Sequence, residues 1–280
     1  MSGDSRRGFL RGLAASVAPA RDAPAPAPAA PAQLSDPAIE RYSRQLVLPE
    51  WGEAAQVALA EASVLVVGAG ALGSPVAYYL AGAGVGRLGI LDDDAVELSN
   101  LHRQLLHFTP DLGVSKAESA AAKLRFLNPE VVVEPYRVRL EDGNAAELVA
   151  GHDVVVDCSD SFATRYALNA ACCAAGVRLV EGGVLGLAGL VMSVKPGSTA
   201  CYRCLFPSAP ADAPRCADAG VLGPAAGVVG SLQALEAMKL LTGVAPAVCD
   251  GFLQIDLASA EILRVHGARR PGCPDCGALG

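Results

Sequence analysis

Short Val-rich runs alternate with longer amphipathic or alanine-rich segments from Ile39 onward. The apolar runs predict the strands "ASVLVVGAG" (62–70), "GRLGILD" (86–92), "VVVEPYRVRL" (131–140), "DVVVDCSD" (153–160), "VRLVEGG" (177–183) and "GLVMSVKPG" (189–197). The segments between them predict the helices "SPVAYYLAGAGV" (74–85), "SKAESAAAKLRFLN" (115–128), "AAELVAG" (145–151) and "SFATRYALNAACCAAG" (161–176). Because strands and helices alternate, we expect an α/β fold with a doubly wound, Rossmann-like sheet that binds ligands at the carboxyl ends of its strands.

The first 38 residues differ in composition from the rest of the chain. The segment "RDAPAPAPAAPAQ" (21–33) is mostly proline and alanine and has too little apolar bulk to offset the entropy of ordering. We therefore predict a flexible extension over residues 1–38 and one folded domain over residues 39–280. The stretch "SRRGFLR" (5–11) resembles a twin-arginine export signal, with a basic disordered terminus as the alternative. Since the apolar stretch after it is short and interrupted by proline, we expect a cytoplasmic protein.

Charge and hydropathy narrow the classes of partner. The chain has a formal net charge of −7 and a pI of about 5.1. Proteins that bind nucleic acid or anionic membranes usually carry an excess of positive charge, so this composition argues against both kinds of partner. The uncharged stretch that most resembles a membrane span is "AGVLGPAAGVVGSLQAL" (219–235). It contains glycines, a proline, a serine and a glutamine, so it predicts a buried loop and helix rather than a span.

A glycine-rich loop joins the first predicted strand to its helix. Gly68, Gly70 and Gly73 follow the pattern GxGxxG, which lets the backbone approach phosphate groups at the N-terminus of a helix. Asp92 ends the next strand, at the distance expected of a carboxylate that binds a ribose hydroxyl. These features predict nucleotide binding but do not identify the nucleotide.

The polar stretch "SNLHRQ" (99–104) follows Asp92 closely. It offers the side chains of Asn100, Arg103 and Gln104 as hydrogen-bond donors. An ATP-cleaving site needs such donors, because phosphoryl and nucleotidyl transfer is catalysed mainly by positioning and by cations on developing negative charge. A dehydrogenase does not need a cluster of such donors past its ribose-binding carboxylate. The alternative is that this stretch is a surface turn of mixed polar residues without a role in binding.

Two further features favour phosphate chemistry. The sequence "SKAE" (115–118) predicts a capping box with Ser115 as N-cap and Glu118 at N3, which places Lys116 at N1. A cation there opposes the helix dipole unless an anionic ligand lies nearby, although a solvated lysine is the alternative. Asp160 ends a predicted strand, where a carboxylate can hold Mg²⁺ across phosphates. Asp157 is its rival for that role, or else a buried structural acid.

Six motifs occur in the order seen in the MoeB/ThiF/HesA family, the bacterial E1-like adenylyltransferases that activate ubiquitin-like sulfur-carrier proteins. They are "RYSRQ" (41–45), "VVGAGALG" (66–73), "LDDDAVELSNLHRQ" (91–104), "GVSKAE" (113–118), "DCSDS" (157–161) and "CYRC" (201–204) with "CPDC" (273–276). The chain resembles this family from about residue 40 to its C-terminus. The resemblance implies an E1/ThiF-type domain that uses ATP and Mg²⁺ to adenylylate the C-terminal glycine of the carrier.

The resemblance also implies roles for individual residues. Asp92 would bind the ribose of ATP, Asn100, Arg103 and Lys116 its phosphates, and Asp160 the magnesium ion. Arg44 would reach the γ-phosphate of ATP in the partner subunit, which implies a homodimer. The implied nucleotide site consists of Gly68, Gly70, Ala71, Gly73, Asp92, Ser99, Asn100, Leu101, His102, Arg103, Lys116, Asp160 and Ser161. Ala71 and Ser161 depart from the family, which usually has glycine and asparagine at these two positions.

The nine cysteines fall into separate groups. Two CxxC pairs are formed by Cys201 with Cys204 and by Cys273 with Cys276. In a reducing compartment, these four thiols predict a tetrahedral Zn²⁺ site. A redox-active CxxC is the alternative. The resemblance implies a structural zinc that staples the C-terminal segment to the domain. It also makes Cys216, which follows Arg215, a candidate for a covalent step with the activated carrier, and a spectator thiol is the alternative. The small buried hydrophobes predicted among the rest are Cys158, Cys172, Cys173 and Cys249.

We therefore predict an adenylyltransferase with three partners. They are a β-grasp, ubiquitin-like sulfur carrier ending in Gly-Gly, a separate sulfur donor such as a cysteine desulfurase or a rhodanese, and a second copy of the chain. The sequence does not choose between a molybdopterin-type and a thiamin-type carrier. Two rival functions stay open. An NAD(P)-binding oxidoreductase shares the glycine-rich loop but leaves Arg44, Arg103 and Lys116 unexplained, and a non-catalytic pseudo-E1 scaffold is expected to lack those residues.

Overall fold

The computed structural model describes residues 33–209 and 220–279. Its strands form one sheet and are β1 (Ser63–Val67), β2 (Arg87–Leu91), β3 (Val132–Tyr136), β4 (Val154–Asp157), β5 (Arg178–Leu185), β6 (Ala188–Val194), β7 (Gly251–Asp256) and β8 (Glu261–His266). The order across the sheet is β3-β2-β1-β4-β5-β6-β7-β8. The first five strands in this order are parallel, and the pairs from β5 to β8 are antiparallel. The predicted α/β class is confirmed, with a mixed sheet.

Helices pack on both faces of this sheet. The α-helices of the described residues are α1 (Asp36–Arg41), α2 (Ser43–Leu46), α3 (Gly52–Glu61), α4 (Gly73–Ala83), α5 (Lys116–Leu127), α6 (Ala145–Val149), α7 (Phe162–Ala175), α8 (Tyr202–Leu205) and α9 (Gly223–Thr242). Helix α9 lies where the uncharged stretch at 219–235 predicts a buried helix. Although α9 has 20 residues, neither it nor any other described helix combines the length and apolarity needed to cross a bilayer.

Two hydrophobic clusters, one on each face of the sheet, form the core. Successive residues of β1 point to opposite faces, so Val64 and Val66 pack with α4, α5 and α9, whereas Leu65 and Val67 pack with α6 and α7. All four side chains are at most 2% exposed. A strand buried on both faces needs consecutive apolar residues, which explains why this segment shows no alternation with polar ones.

The strand order places a crevice at the carboxyl ends of β1 and β4. From β1 the chain moves outward to β2 and β3, and it then returns to the other side of β1 to form β4 and β5. The loops that leave β1 and β4 therefore diverge, and open α/β sheets bind ligands in the crevice between such loops. The glycine-rich loop follows β1, and the turn at residues 159–161 follows β4.

Two parts of the sheet differ from the prediction. The third strand is predicted to continue to Leu140, but β3 ends at Tyr136 and the chain then turns toward the crevice, which Leu140 lines. The hydrophobic pattern does not reveal β7 and β8. Strand β8 lies at the edge of the sheet, and its two central apolar residues, Ile262 and Leu263, are 53% and 56% exposed. An edge strand without a buried face carries little hydrophobic signal.

Helix α9 crosses the start of α4 at close range. A Cβ atom added to Gly230 of α9 would lie 2.6 Å from the carbonyl oxygen of Leu72 and 2.5 Å from Pro75 Cγ. Because Gly230 has no side chain, α9 can pack against the turn that connects the glycine-rich loop to α4. Gly227, about one turn earlier in α9, has no atom within 4 Å of such a Cβ.

We predict that Gly230→Ala lowers the free energy of unfolding by about 1–3 kcal/mol, because the added methyl group must displace the backbone at the start of α4. Gly227→Ala is expected to raise it by about 0.5–1 kcal/mol, since alanine favours the helix at a position with free space. Denaturant unfolding of both variants measures these effects. Equal effects of the two substitutions would contradict the close crossing.

Candidate active site

A cleft of about 280 Å³ opens where β1, β2 and β4 end. Its walls contain eight of the predicted nucleotide-site residues, namely Gly68, Gly70, Ala71, Asp92, Arg103, Lys116, Asp160 and Ser161. Gln104, a predicted hydrogen-bond donor, also faces the cleft. So do residues without a predicted role, among them Arg139, Ser159, Thr164 and Arg165. The structure thus brings carboxylates and cations together at the place where the topology predicts a ligand.

The remaining predicted residues lie outside the cleft wall. Gly73 begins α4, and a Cβ there would collide with the carbonyl oxygen of Gly68, so the loop can fold tightly only with glycine at this position. Arg44 is exposed on α2 and does not line the cleft of its own chain. The turn that precedes Arg103 contains Ser99, Asn100, Leu101 and His102. Asn100 holds this turn, because its Oδ1 accepts from the Glu97 N–H at 3.3 Å.

Both backbone groups of Ala69, within the glycine-rich loop, are held by side chains. The Ala69 N–H donates to Asp92 Oδ2 at 2.8 Å, and the Ala69 carbonyl accepts from His107 Nε2 at 2.9 Å. The neighbouring Gly68 has a φ of 97°, and a Cβ there would lie 2.8 Å from the Cys158 carbonyl oxygen. The loop therefore holds its shape through contacts with the protein itself, in a conformation that favours glycine.

Asp92 connects this loop to the end of β2. Its other oxygen, Oδ1, accepts from the Asp94 N–H at 2.9 Å, and the residue is 9% exposed. Burial raises the pKa of Asp92, while the charge of Lys116 and the two backbone donors oppose that shift. Each carboxylate oxygen can accept more than one hydrogen bond, so Asp92 can also accept from a ribose hydroxyl.

His107 supports the glycine-rich loop from outside the cleft wall, a role that the sequence pattern does not reveal. The Ala69 carbonyl can only accept, so Nε2 of His107 must donate, and Nδ1 of the neutral ring then accepts from the Ser119 hydroxyl at 2.9 Å. Burial lowers the pKa of His107, and the nearby Lys123 adds to this effect. A neutral His107 therefore links α5 to the glycine-rich loop.

Lys116 lies at the first position of α5, as predicted, and is buried. Its Nζ donates to Asp94 Oδ2 at 2.8 Å, and its N–H donates to the Asp94 carbonyl at 2.9 Å. The predicted capping box is wrong, because the Ser115 side chain makes no capping hydrogen bond. Ser115 instead pairs with Ala95 in a short β-bridge, which holds the start of α5 without a side-chain cap.

Arg103 and Gln104 face the cleft from the connection between β2 and α5. Arg103 Nη1 donates to the Ser99 carbonyl at 2.8 Å and contacts His102 Nε2 at 2.8 Å. Gln104 is 6% exposed, and its Oε1 has no hydrogen-bond partner among the described residues. This part of the wall therefore offers one guanidinium and one buried amide to a ligand.

The two rival metal-binding carboxylates occupy different environments. Asp160 is exposed and lies in the cleft wall. Asp157 is fully buried, and its Oδ1 accepts from the Ser159 N–H at 2.8 Å. Ser161, the departure from the family pattern, caps α7 by accepting from the Thr164 N–H at 3.5 Å. The geometry favours Asp160 as the residue that a metal ion in the cleft can reach.

Four buried thiols gather away from the cleft. The sulfur atoms of Cys201, Cys204, Cys273 and Cys276 lie within 4.8 Å of one another. The Sγ–Sγ distances are 3.8 Å for Cys201–Cys204, 3.6 Å for Cys201–Cys273 and 3.4 Å for Cys204–Cys276. A disulfide bond is much shorter, about 2.05 Å. Zinc–sulfur bonds of about 2.3 Å in a tetrahedron separate the sulfur atoms by about 3.8 Å, so the spacing fits Zn²⁺.

Polar groups around the cysteine cluster suit thiolate ligands. Asn169 Nδ2 donates to Cys201 Sγ at 3.5 Å, and the Arg270 N–H donates to Cys204 Sγ at 3.3 Å. Such donors to the ligand atoms are typical of metal sites. Cys216 lies outside the described residues. The thiols predicted as hydrophobes are buried at Cys158, Cys172 and Cys173 and half-buried at Cys249.

Comparison with known proteins places these features in a family. Residues 42–275 match the ThiF family. "Adenylyltransferase and sulfurtransferase MOCS3" of Xenopus laevis is 46% identical over 247 residues, which cover 87% of this chain and 54% of that protein. "SAMP-activating enzyme E1" of Haloferax volcanii is 47% identical over 241 residues, which cover 85% of this chain and 89% of that protein. The chain thus spans about half the length of the MOCS3 relative.

Solved structures share the fold. A crystal structure of E. coli MccB with ATP superposes with a TM-score of 0.75 at 24% identity, covering 85% of this chain and 74% of MccB. A crystal structure of PaaA superposes with a TM-score of 0.74 at 21% identity, covering 96% of this chain and 84% of PaaA. At these identities the likeness concerns the fold alone.

We predict that the wild-type protein loses stability between pH 7 and pH 5 relative to a His107→Gln variant. The lowered pKa of folded His107 means that the unfolded chain takes up the proton first. The stability from neutral His107 is therefore complete above the unfolded pKa of about 6.5 and declines below it, by up to about 1.4 kcal/mol per pH unit. Denaturant unfolding at several pH values measures this difference.

The Gln variant is informative because its amide nitrogen can still donate to the Ala69 carbonyl. A His266→Gln variant, changed at an exposed position, is the matched control and is expected to follow the wild type throughout this pH range. If His107→Gln also follows the wild type, His107 is not the neutral link described above.

Proposed function

The chain belongs to the ThiF family, and from this membership we propose that it uses ATP to adenylylate the C-terminal glycine of a small ubiquitin-like sulfur carrier. The observation that carries the proposal is the cleft itself, where a firmly held glycine-rich loop meets Asp92, Arg103, Lys116 and Asp160. A hydride-transferring enzyme uses the loop and one carboxylate but has no need of the two cations and the second acid.

We assign the ATP phosphates to the region between the glycine-rich loop and the N-terminus of α4. The free N–H groups and the dipole of a helix N-terminus attract anions, and glycines allow a close approach. Asp92 would accept a hydrogen bond from the ribose. Arg103 and Lys116 would approach the phosphates, and a phosphate would share the Lys116 ammonium group with Asp94.

Asp160 is the proposed ligand of Mg²⁺. This ion prefers oxygen donors and is usually held by one or two carboxylates together with phosphate oxygens and water. An exposed carboxylate in the cleft wall, three residues beyond the end of β4, fits that donor set. When bound, the ion neutralises negative charge on the phosphates.

In the proposed reaction, a carboxylate oxygen of the carrier's last glycine attacks the α-phosphorus of ATP. The bond from that phosphorus to the bridging oxygen breaks, and pyrophosphate leaves with the electron pair. Arg103 and Lys116 stabilise the negative charge that develops on the phosphates. The acyl-adenylate is then open to a sulfur nucleophile, which displaces AMP. We assign the sulfur to a separate donor such as a cysteine desulfurase or a rhodanese, and Cys216 stays a candidate for a covalent step.

The names of the relatives support adenylylation and sulfur transfer. One relative is an adenylyltransferase and sulfurtransferase, and another is a SAMP-activating E1. Neither name decides between a molybdopterin-type and a thiamin-type carrier for this chain. We propose that the reaction takes place in the cytoplasm, where ATP is available, and that residues 39–280 act as one adenylation domain.

We further propose a homodimer in which Arg44 completes the site of the partner subunit. Arg44 is exposed on α2, and its chain neighbour Gln45 lines a groove together with Tyr78, Tyr79, Gly82, Ala83, Ser231, Ala234, Leu235 and Met238. Tyr79 is 58% exposed and Leu235 is 50% exposed. Contiguous apolar surface of this kind is typical of an interface, and a second copy that covers this groove would bury Arg44 beside it.

A structural zinc ion is the proposed occupant of the cysteine cluster. The two CxxC pairs lie 72 residues apart along the chain, so one ion would tie the C-terminal segment to the domain. Asn169 on α7 is fully buried and connects both pairs. It donates to Asp275 Oδ2 at 2.6 Å and accepts from the Tyr202 N–H at 2.8 Å. The cluster lies outside the cleft wall, which supports a structural role.

We predict that the purified protein exchanges labelled pyrophosphate into ATP only when Mg²⁺ and a carrier ending in Gly-Gly are present. Lys116→Ala and Asp160→Ala are each expected to slow exchange by about 100-fold or more, because each removes charge stabilisation at the phosphates. Lys195→Ala and Asp142→Ala change exposed residues outside the cleft wall and serve as matched controls with the wild-type rate.

A molybdopterin-type and a thiamin-type carrier are tested separately, so exchange with only one of them identifies the pathway. Full activity of Lys116→Ala or Asp160→Ala would refute the roles assigned to these residues. Binding of a nicotinamide nucleotide without exchange would favour the oxidoreductase, and a protein that exchanges with neither carrier would favour the scaffold.

We predict one Zn²⁺ ion per chain, measured by atomic absorption. Cys273→Ser is expected to lose the ion and to unfold at a lower temperature, since the C-terminal segment is then no longer tied to the domain. Cys249→Ser, which changes a half-buried thiol outside the cluster, is expected to keep the ion. A zinc-free wild-type protein of unchanged stability would contradict the assignment.

A further inference from the structure

Two acidic side chains lie side by side in the sheet below the cleft. Asp157 on β4 and Glu181 on β5 are register partners in parallel strands, so their side chains point to the same face of the sheet. Both residues are fully buried. Two buried carboxylates at neighbouring positions repel each other unless cations or a proton compensate their charge.

Within residues 33–209 and 220–279, Arg165 of α7 is the cation that forms a salt bridge with this pair. Its Nη1 donates to Glu181 Oε2 at 3.3 Å, and its Nη2 donates to the Ser159 carbonyl at 2.9 Å. Gln233 reaches Asp157 from α9, where its Nε2 donates to the Asp157 carbonyl at 2.7 Å, but its side chain is neutral. In the part of the chain that the structure describes, one guanidinium balances one carboxylate, so full ionisation of both acids would leave a buried negative charge.

Two oxygen atoms show where a proton fits. Asp157 Oδ2 and Glu181 Oε1 have no hydrogen-bond donor among the described residues. As register partners, the two side chains are neighbours on one face of the sheet. Two neighbouring carboxyl groups can hydrogen-bond to each other only when one of them is protonated. Burial raises the pKa of Glu181 well above its usual value; the charge of Asp157 adds to this effect, and the charge of Arg165 opposes it.

The backbone of Ser159 connects this pair to the cleft. The Ser159 N–H donates to Asp157 Oδ1 at 2.8 Å, and the Ser159 carbonyl accepts from Arg165. Asp160 follows directly in the chain and is exposed in the cleft wall. The two hydrogen bonds to Ser159 therefore hold the backbone next to Asp160, from which the Asp160 side chain extends.

We propose that Glu181 and Asp157 share one proton and that Glu181, through Arg165, is a positioning residue that holds Asp160 in place for Mg²⁺-dependent binding of ATP. The positioning role rests on the proposed function of Asp160. The shared proton depends only on the sheet register, the burial and the hydrogen bonds of the pair.

Infrared spectroscopy at pH 7 tests the proton directly, because a protonated carboxyl group has a C=O stretching band apart from those of carboxylates. We expect this band in the wild-type protein and its loss in Glu181→Gln. Glu147→Gln, which changes an exposed glutamate on α6, is the matched control and is expected to keep the band. A wild-type spectrum without a protonated-carboxyl band, or one that Glu181→Gln leaves unchanged, overturns the shared proton.

Titration calorimetry of ATP binding tests the positioning role. Each protein is titrated with ATP in the presence of Mg²⁺ and again in the presence of EDTA, and the ratio of the two affinities isolates the metal-dependent part. Glu181→Gln keeps a donor for Asp157 and an acceptor for Arg165, so its ratio is expected to stay within about twofold of the wild type. Glu181→Leu removes both groups and is expected to reduce the ratio by about tenfold or more.

Arg165→Lys supplies the same comparison if Glu181→Leu fails to fold, because lysine keeps the charge but cannot reproduce the two directed hydrogen bonds of the guanidinium. Equal ratios in the wild type and in all folded variants overturn the positioning role. A Glu181→Gln variant as impaired as Glu181→Leu or Arg165→Lys overturns a neutral Glu181. A wild-type protein that binds no ATP refutes the proposed function and the positioning role together, while the infrared band still decides the shared proton.

Discussion

The site depends on hydrogen bonds from side chains to the backbone of one residue in each of the two loops that form the cleft. Where β1 and β4 end, the backbone loses the neighbouring strands that satisfied its N–H and C=O groups. Ala69 finds new partners in Asp92 and His107, and Ser159 finds them in Asp157 and Arg165. In both loops a carboxylate accepts from the N–H and a side-chain nitrogen donates to the carbonyl. The loops therefore hold their shape without a ligand, which catalysis by positioning and electrostatics requires.

Local sequence patterns predict the central strands of the sheet and many of the residues that line the cleft. The consecutive apolar residues of β1, the glycines after it and Asp92 at the end of β2 follow from local patterns, and so does Lys116 at the start of α5. His107 and Arg165 could not be assigned in this way. The contact from His107 to Ala69 joins residues 38 positions apart, and the contact from Arg165 to Glu181 depends on how α7 packs on β5. The capping box at Ser115 failed because a β-bridge to Ala95 already holds that turn.

The topology explains why groups from distant parts of the chain meet at one place. Arg103 and Lys116 come from the connection after β2, and Asp160 comes from the turn after β4, so they approach the glycine-rich loop from its two sides. Helix α9 packs closely against the start of α4 at Gly230, and its Gln233 side chain donates a hydrogen bond to the Asp157 carbonyl. The buried acids, the arginine and the packing of α9 thus support the loops of the cleft, while the cysteine cluster lies outside the cleft wall. In the proposed mechanism these supports keep the cations and the metal-binding carboxylate aimed at the ATP phosphates.

The central claim is that this cleft transfers AMP to the carboxyl terminus of a carrier protein. Mass spectrometry of a carrier ending in Gly-Gly, after incubation with the protein, ATP and Mg²⁺, tests that claim most directly. We expect that the mass of the carrier increases by one adenylyl group and that added pyrophosphate reverses the change. An unchanged carrier mass, under conditions where the protein is shown to bind ATP, would contradict it.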